Sequence, residues 1–134
     1  MGLNAKIRKS DKQREVKHTA DGRRVIASAR ARYVRCAPRK LALVAKDLRG
    51  ITVAAARQYL DSIHKPSAAP HLRTLLASAA ANAENSAPEP EELVIGELRV
   101  EGAPIIKRFR PATYGRMVKI RKRMSHVSIY LTEA

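Results

Sequence analysis

Ile105-Ile106-Lys107-Arg108-Phe109-Arg110-Pro111-Ala112-Thr113-Tyr114-Gly115-Arg116-Met117-Val118-Lys119-Ile120-Arg121-Lys122-Arg123-Met124-Ser125-His126-Val127-Ser128-Ile129-Tyr130-Leu131-Thr132 reads as two extended runs joined by a turn. Pro111 to Gly115 supplies the turn residues, and Arg116 to Thr132 alternates as a strand does. The alternation changes phase. Val118, Ile120 and Met124 take even positions, whereas Val127, Ile129 and Leu131 take odd ones. Successive strand side chains point to opposite faces, so this change needs a bulge or a change of neighbours. The expected arrangement packs residues 127–131 in a core and leaves residues 107–123 outside it. Fifteen extended residues reach ~50 Å, while a core of ~100 residues has a radius of gyration near ~13 Å. Such a β-hairpin, expected at about residues 99–131, protrudes. A two-stranded ribbon alone is marginally stable in water, so a partner is expected to order it.

The chemistry of the ribbon names the class of partner. Eight Lys and Arg fall within residues 107–123, with Phe109 and Tyr114 near the turn. Cations pair with phosphates, and aromatics stack on bases or guanidinium groups. Lysines that only blunt an exposed edge are the competing account, and Arg-rich clusters on both strands exceed that need. The whole chain has 134 residues, 27 Lys and Arg against 12 Asp and Glu, and a formal net charge of +15. Residues 1–26 carry +5, residues 27–60 carry +7, residues 61–106 carry −4 and residues 107–134 carry +7. Solubility alone asks for only about 2–8 charges on a small domain. An acidic partner is the better reading of the excess.

Upstream, residues 1–26 read as a basic N-terminal arm without an apolar stripe. Residues 27–134 have the length of one globular domain that includes the hairpin, and its charge together with the motifs considered below makes it the expected RNA-binding domain. Ala27, Ala29, Ala31 and Tyr33 alternate with Ser28, Arg30, Arg32 and Val34, a strand of period two that begins at Val25. Pro38 opens a helix at a position where its missing N–H costs nothing. Leu41, Val44, Ala45 and Leu48 form its apolar stripe, Arg39, Lys40, Lys46 and Arg49 lie on the remaining arc, and Gly50 ends it. Thr52 caps a second helix with Val53, Ala56, Leu60 and Ile63 on its stripe. A third helix begins near Ser67, tolerates Pro70 in its first turn, and buries Leu72, Leu75, Leu76, Ala79 and Ala83. Ser86 to Glu92 is a Pro-rich loop. Leu93 to Glu101 is a strand with a bulge near Gly96, and Gly102-Ala103-Pro104 is a turn.

Composition removes several classes. No apolar run nears the ~18–20 residues of a membrane span. One Cys allows no disulfide within the chain, and the four His have no partners at metal-ligand spacing. No cofactor is expected. Ser125-His126 imitates a dyad, but neighbours on a strand face opposite sides. There is no phosphate-binding glycine loop, and no enzyme activity is expected. Met1 to Ile26 lacks the apolar segment of a secretory signal, and free Cys36 suits a reducing cytoplasm. No zinc finger, helix-turn-helix or aromatic RNA-recognition motif is visible, so shape recognition of structured RNA fits better than reading of DNA sequence. A free-standing nucleic-acid module and a basic peripheral membrane protein stay open on charge alone.

Tyr33-Val34-Arg35, Ala37-Pro38-Arg39-Lys40, Leu48-Arg49-Gly50, Ser78-Ala79, Asn82-Ala83-Glu84-Asn85, Glu101-Gly102-Ala103-Pro104, Lys107-Arg108, Pro111, Gly115-Arg116 and Arg121-Lys122-Arg123-Met124-Ser125-His126 occur in that order. Together they resemble the bacterial-type large-subunit ribosomal protein L-twenty-two family, from about Ala27 to Thr132. The resemblance implies an α+β fold, a small antiparallel sheet packed against three helices with a long protruding β-hairpin. It implies a structural constituent of the large ribosomal subunit in the cytoplasm, rather than of an organelle ribosome. Such a protein binds large-subunit (23S-type) rRNA, supports assembly, and helps line the nascent-peptide exit tunnel with its hairpin tip. Tip variants in the family alter macrolide sensitivity. The implied partners are that rRNA, neighbouring large-subunit proteins and the passing nascent peptide, with no membrane.

Carried onto this sequence, the RNA-binding residues are Arg35, Arg39, Lys40, Lys46, Arg49, Lys107, Arg108, Arg110, Arg116, Lys119, Arg121, Lys122, Arg123 and His126. The tunnel tip is Arg108, Phe109, Arg110, Pro111, Ala112, Thr113, Tyr114, Gly115 and Arg116. The chain departs from the family pattern in three places. Ala37 replaces a Ser that would cap the first helix, a loss of about 0.5–2 kcal/mol. Ala112-Thr113-Tyr114 replaces Arg-Ala-Lys, which removes two charges and adds an aromatic. Met124 stands where Thr is usual.

Overall fold

A computed structural model describes residues 18–86 and 91–133. Three strands and three helices follow in the order β1 (Val25–Val34), α1 (Pro38–Leu48), α2 (Val53–Ser62), α3 (Ala69–Glu84), β2 (Val94–Pro111) and β3 (Met117–Thr132). The sheet is antiparallel in the order β1-β3-β2. Its register sets rows of core side chains. Ala27, Leu131 and Ile95 form one row, and Ala29, Ile129 and Leu98 the next. All six are buried, and they share one cluster with Leu41, Leu48, Leu60, Leu72 and Leu76 from the helices. The other sheet face carries Ser28, Tyr130 and Glu97 in one row and Arg30, Ser128 and Arg99 in the next. There Arg99 forks onto Glu97 at 2.5 and 3.0 Å and lies 5.4 Å from the Tyr130 ring centre. The α+β class expected from the sequence is the architecture observed.

Local chemistry explains the helices. Ala37 offers no side-chain cap to α1, and its carbonyl instead accepts Lys40 N–H at 3.0 Å, with Pro38 in the first turn. Gly50 has φ +79° past the helix end, a conformation a Cβ would strain. Thr52 caps α2 by accepting the Ala55 N–H at 3.3 Å. α3 starts at Ala69, two residues after the expected Ser67, because Lys65–Ala68 closes a separate turn onto the Lys65 carbonyl. Small side chains on α3 and β1 let these elements lie close. Ala79, Ala83, Ala27 and Ala29 are all buried, and Asn82 Nδ2 donates to the Ser28 carbonyl at 3.0 Å.

Two expectations change. Gly102-Ala103-Pro104 is no turn, because β2 runs unbroken for 18 residues. Ala103 pairs with Met124 and Ile106 with Lys122, so one extra residue is absorbed in β2 as a bulge. The strand expected from Leu93 is β2, and its pairing with β3 starts at Val94. The change of phase in β3 is a change of neighbours. β1 covers β3 only as far as Ser125, and beyond that point the ribbon has β2 alone. A second bulge sits at Gly96, between the pairs Ile95–Leu131 and Glu97–Tyr130.

Of the expected arm, residues 1–17 lie outside the described residues, as do residues 87–90 of the expected loop. Residues 18–24 make a tight turn in which His18 bridges Arg24, Thr19 is buried, and Ala20 N–H donates to Glu97 at 3.3 Å.

Candidate nucleic-acid interface

Beyond Gly102 the chain runs out on β2 and returns on β3 without a helix against it. The last strand pair is Pro111–Met117. Between them Ala112 N–H donates to the Arg116 carbonyl at 2.7 Å and closes a tight tip. Tyr114 has φ 56° and Gly115 φ 68°. A left-handed tyrosine costs of order 1–2 kcal/mol. Tyr114 is 99% exposed, so its own side-chain packing does not recover that cost. Phe109 and Met117 are also exposed, at 56% and 71%.

The strand pairs sort the ribbon into two faces. Lys107 opposes Arg121, and Phe109 opposes Lys119, on one face. Ile106 opposes Lys122, Arg108 opposes Ile120, and Arg110 opposes Val118, on the other. Both faces thus carry cations with apolar side chains between them. Among the described residues, the ion pairs are Arg30–Glu101, Arg57–Glu91, Arg73–Asp61 and Arg99–Glu97. None involves Lys107, Arg108, Arg110, Arg116, Lys119, Arg121, Lys122 or Arg123. The chain's described carboxylates sit on the globule, and the ribbon's cations face solvent. Like charges held together in this way repel unless an outside anion neutralises them.

The other candidates divide. Arg35 follows the end of β1 and shares a cleft of about 370 Å³ with Ile106, Arg108, Lys122, Arg123 and Met124. Arg39, Lys40 and Lys46 are exposed on α1, away from its buried stripe of Leu41, Val44, Ala45 and Leu48. Lys40 lines a separate groove with Leu43 and Lys65. Arg49 is different, since its guanidinium donates to the Leu98 carbonyl at 2.8 Å and ties the end of α1 to β2.

His126 also has work inside the chain. Its Nδ1 accepts the Tyr33 N–H at 3.0 Å, and the two rings meet edge to face at 4.8 Å. With Nδ1 accepting, the neutral ring carries its proton on Nε2. Its neighbour Ser125 points inward, fully buried, and donates to the Cys36 carbonyl at 2.6 Å. The Ser125-His126 pair is therefore split across the strand and ties two different segments. Tyr33 escaped the sequence reading as a special position. Only its φ of 55° beside the β1 bulge reveals it.

Burial pushes the Cys36 thiol up, against a smaller downward pull from Lys40. Among the described residues, no group of three or more His, Cys, Asp or Glu could hold a metal ion, and no helix is long and apolar enough to cross a membrane.

Residues 29–132 match the family described as ribosomal protein L22p/L17e. The chain is 47% identical over 102 residues to the large ribosomal subunit protein uL22 of Rubrobacter xylanophilus, covering 75% of this chain and 80% of that one. It is 40% identical over 108 residues to the protein of the same name from Mycoplasma capricolum subsp. capricolum, and 42% identical over 108 residues to that of Mesoplasma florum. Each of these covers 80% of this chain and 96% of the relative.

Proposed function

We propose a function from one premise: this chain belongs to the ribosomal protein L22p/L17e family, and is a structural, non-enzymatic protein of the large ribosomal subunit of bacterial type. The proposal is that the ribbon of residues 102–124 threads large-subunit rRNA. The exposed cations of α1 and Arg35 hold the globule on the same RNA in the cytoplasmic ribosome. One observation carries this reading: eight ribbon cations without a carboxylate partner among the described residues. Phosphates supply the missing counter-charge, and bound RNA supplies the surface that a bare two-stranded ribbon lacks. Binding of this kind neutralises RNA self-repulsion and supports subunit assembly.

At the far end, Tyr114 and its neighbours reach furthest from the globule along the strand path. They line the nascent-peptide exit tunnel, where the passing peptide is the second partner. The tip sequence Ala112-Thr113-Tyr114 sets the tunnel-wall chemistry and, with it, the response to macrolides. Other large-subunit proteins flank the globule.

Sedimentation of cell lysates tests the reading. The protein should migrate with large subunits in one-to-one ratio and remain there through a high-salt wash. A free-standing RNA-binding module with about 6–10 phosphate contacts would lose ~10³–10⁵ in affinity between 50 and 200 mM salt. Release of the protein to the top of the gradient under that wash would overturn the ribosomal assignment of these contacts.

A further inference from the structure

Where the globule meets the ribbon, three features of the backbone open one cleft. β1 stops at Val34, so it no longer covers β3 beyond Ser125. The bulge between Ala103 and Ile106 turns β2 locally. Arg35, carried past the strand end, then faces the ribbon. The result is the cleft of about 370 Å³ lined by Arg35, Ile106, Arg108, Lys122, Arg123 and Met124. Its size falls within the ~300–1,000 Å³ of small-ligand clefts.

The lining is of two kinds. Ile106 and Met124 are half-buried and apolar. The four cations are exposed, and among the described residues none is paired with a carboxylate. Arg108 spends one N–H on the Lys107 carbonyl at 3.0 Å and keeps the rest of its fork free. A phosphate alone would satisfy the cations and leave the apolar pair wet. An apolar peptide side chain would cover that pair and leave four charges uncompensated. A nucleotide satisfies both, because it joins a flat apolar face to an anion.

The geometry points to this cleft as a seat for one unstacked rRNA nucleotide, its base against Ile106 and Met124 and its flanking phosphates on Arg35, Arg108, Lys122 and Arg123. The inference rests on the RNA-binding reading above and adds a subsite to it. Unstacked bases in loops and bulges are the parts of RNA that proteins read individually. A polarizable thioether adapts to any base face, so the seat selects an extruded base rather than a particular sequence.

The test uses the full chain on a large-subunit rRNA transcript, with chemical probing at nucleotide resolution. The wild-type protein should protect one base that is reactive in the free RNA. Met124→Ala should restore that base's reactivity and weaken binding roughly three- to tenfold, with the salt dependence unchanged. Arg35→Gln should instead lower the salt slope by about one while the fold holds. Circular dichroism of both variants separates these effects from unfolding. If the wild type binds the transcript but Met124→Ala leaves every protection in place, the cleft grips the backbone only and the inference fails while the RNA-binding reading stands. If the wild type shows no binding above a scrambled RNA, the RNA-binding reading itself fails.

Discussion

His126 Nδ1 accepts the backbone N–H of Tyr33 at 3.0 Å, across 93 positions of sequence. This bond satisfies an N–H left over where β1 bulges and Tyr33 turns to φ 55°. Beside it, Ser125 donates to the Cys36 carbonyl from a fully buried position. The pair ties the end of β1 and the β1–α1 connection to β3. Ser125→Ala should cost about 1–3 kcal/mol, because the Cys36 carbonyl is left dry and unpaired. His126→Ala should cost less, since water can reach the half-exposed Tyr33 N–H. Urea unfolding of the two variants checks the ranking, and a larger loss for His126→Ala would reverse the assignment.

Gly96 and Thr132 form a tight contact. A Cβ on Gly96 would come within 2.6 Å of Thr132 Cγ2 and 2.8 Å of its Oγ1. Gly96→Ala should therefore destabilise by about 1–3 kcal/mol through overpacking. The Thr132 hydroxyl is itself buried without a hydrogen-bond partner among the described residues. Thr132→Ala should recover much of the loss in the double variant. A double-mutant cycle on thermal unfolding measures this coupling, and additive losses would contradict it.

How much of this was legible in the sequence depends on distance along the chain. The three helices were, because each writes its apolar stripe within one segment and its stop beside it, as Leu41 to Leu48 and Gly50 do. The pairing of β2 with β3 was, because two extended runs flank the turn residues Pro111 to Gly115. Gly102-Ala103-Pro104 misled, because these residues usually mark turns. Here Pro104 sits at the bulge on a strand with no outer neighbour, where a missing N–H breaks no ladder. The bond from Arg49 to the Leu98 carbonyl was not legible, because it depends on packing between residues 49 positions apart.

Arg99 beside Glu97 holds that carboxyl below the usual carboxylate range, with a smaller pull from the Ala20 N–H. A depressed folded-state value contributes stability above the unfolded value of about 4.3. That contribution is lost as pH falls through the folded-state value. Glu97→Gln should flatten the acid limb of a stability-versus-pH curve and leave its shape near neutrality unchanged. An acid limb identical to wild type would show that the pair contributes nothing.

Cys36 is 4% exposed, and burial raises its thiol. The native protein should react with a thiol reagent only as fast as it opens, and at once in denaturant. Rapid native labelling would place Cys36 at the surface.

Arg121, Lys122 and Arg123 are exposed and make no ion pair among the described residues. Replacing all three with Ala should reduce the salt slope of rRNA binding by about 2–3. The melting temperature should move by less than ~4 °C. A collapse of the melting temperature with RNA affinity intact would make these residues part of the fold instead.

Crosslinking from position 114 bears most directly on the central claim that the cationic ribbon is built to be held by RNA and to present its tip to the nascent peptide. A photoreactive residue replacing Tyr114, in large subunits assembled from the full chain and engaged in synthesis, should label both rRNA and the growing peptide. Labelling of neither, with the same probe at globular Leu43 giving ribosomal products, would contradict the account.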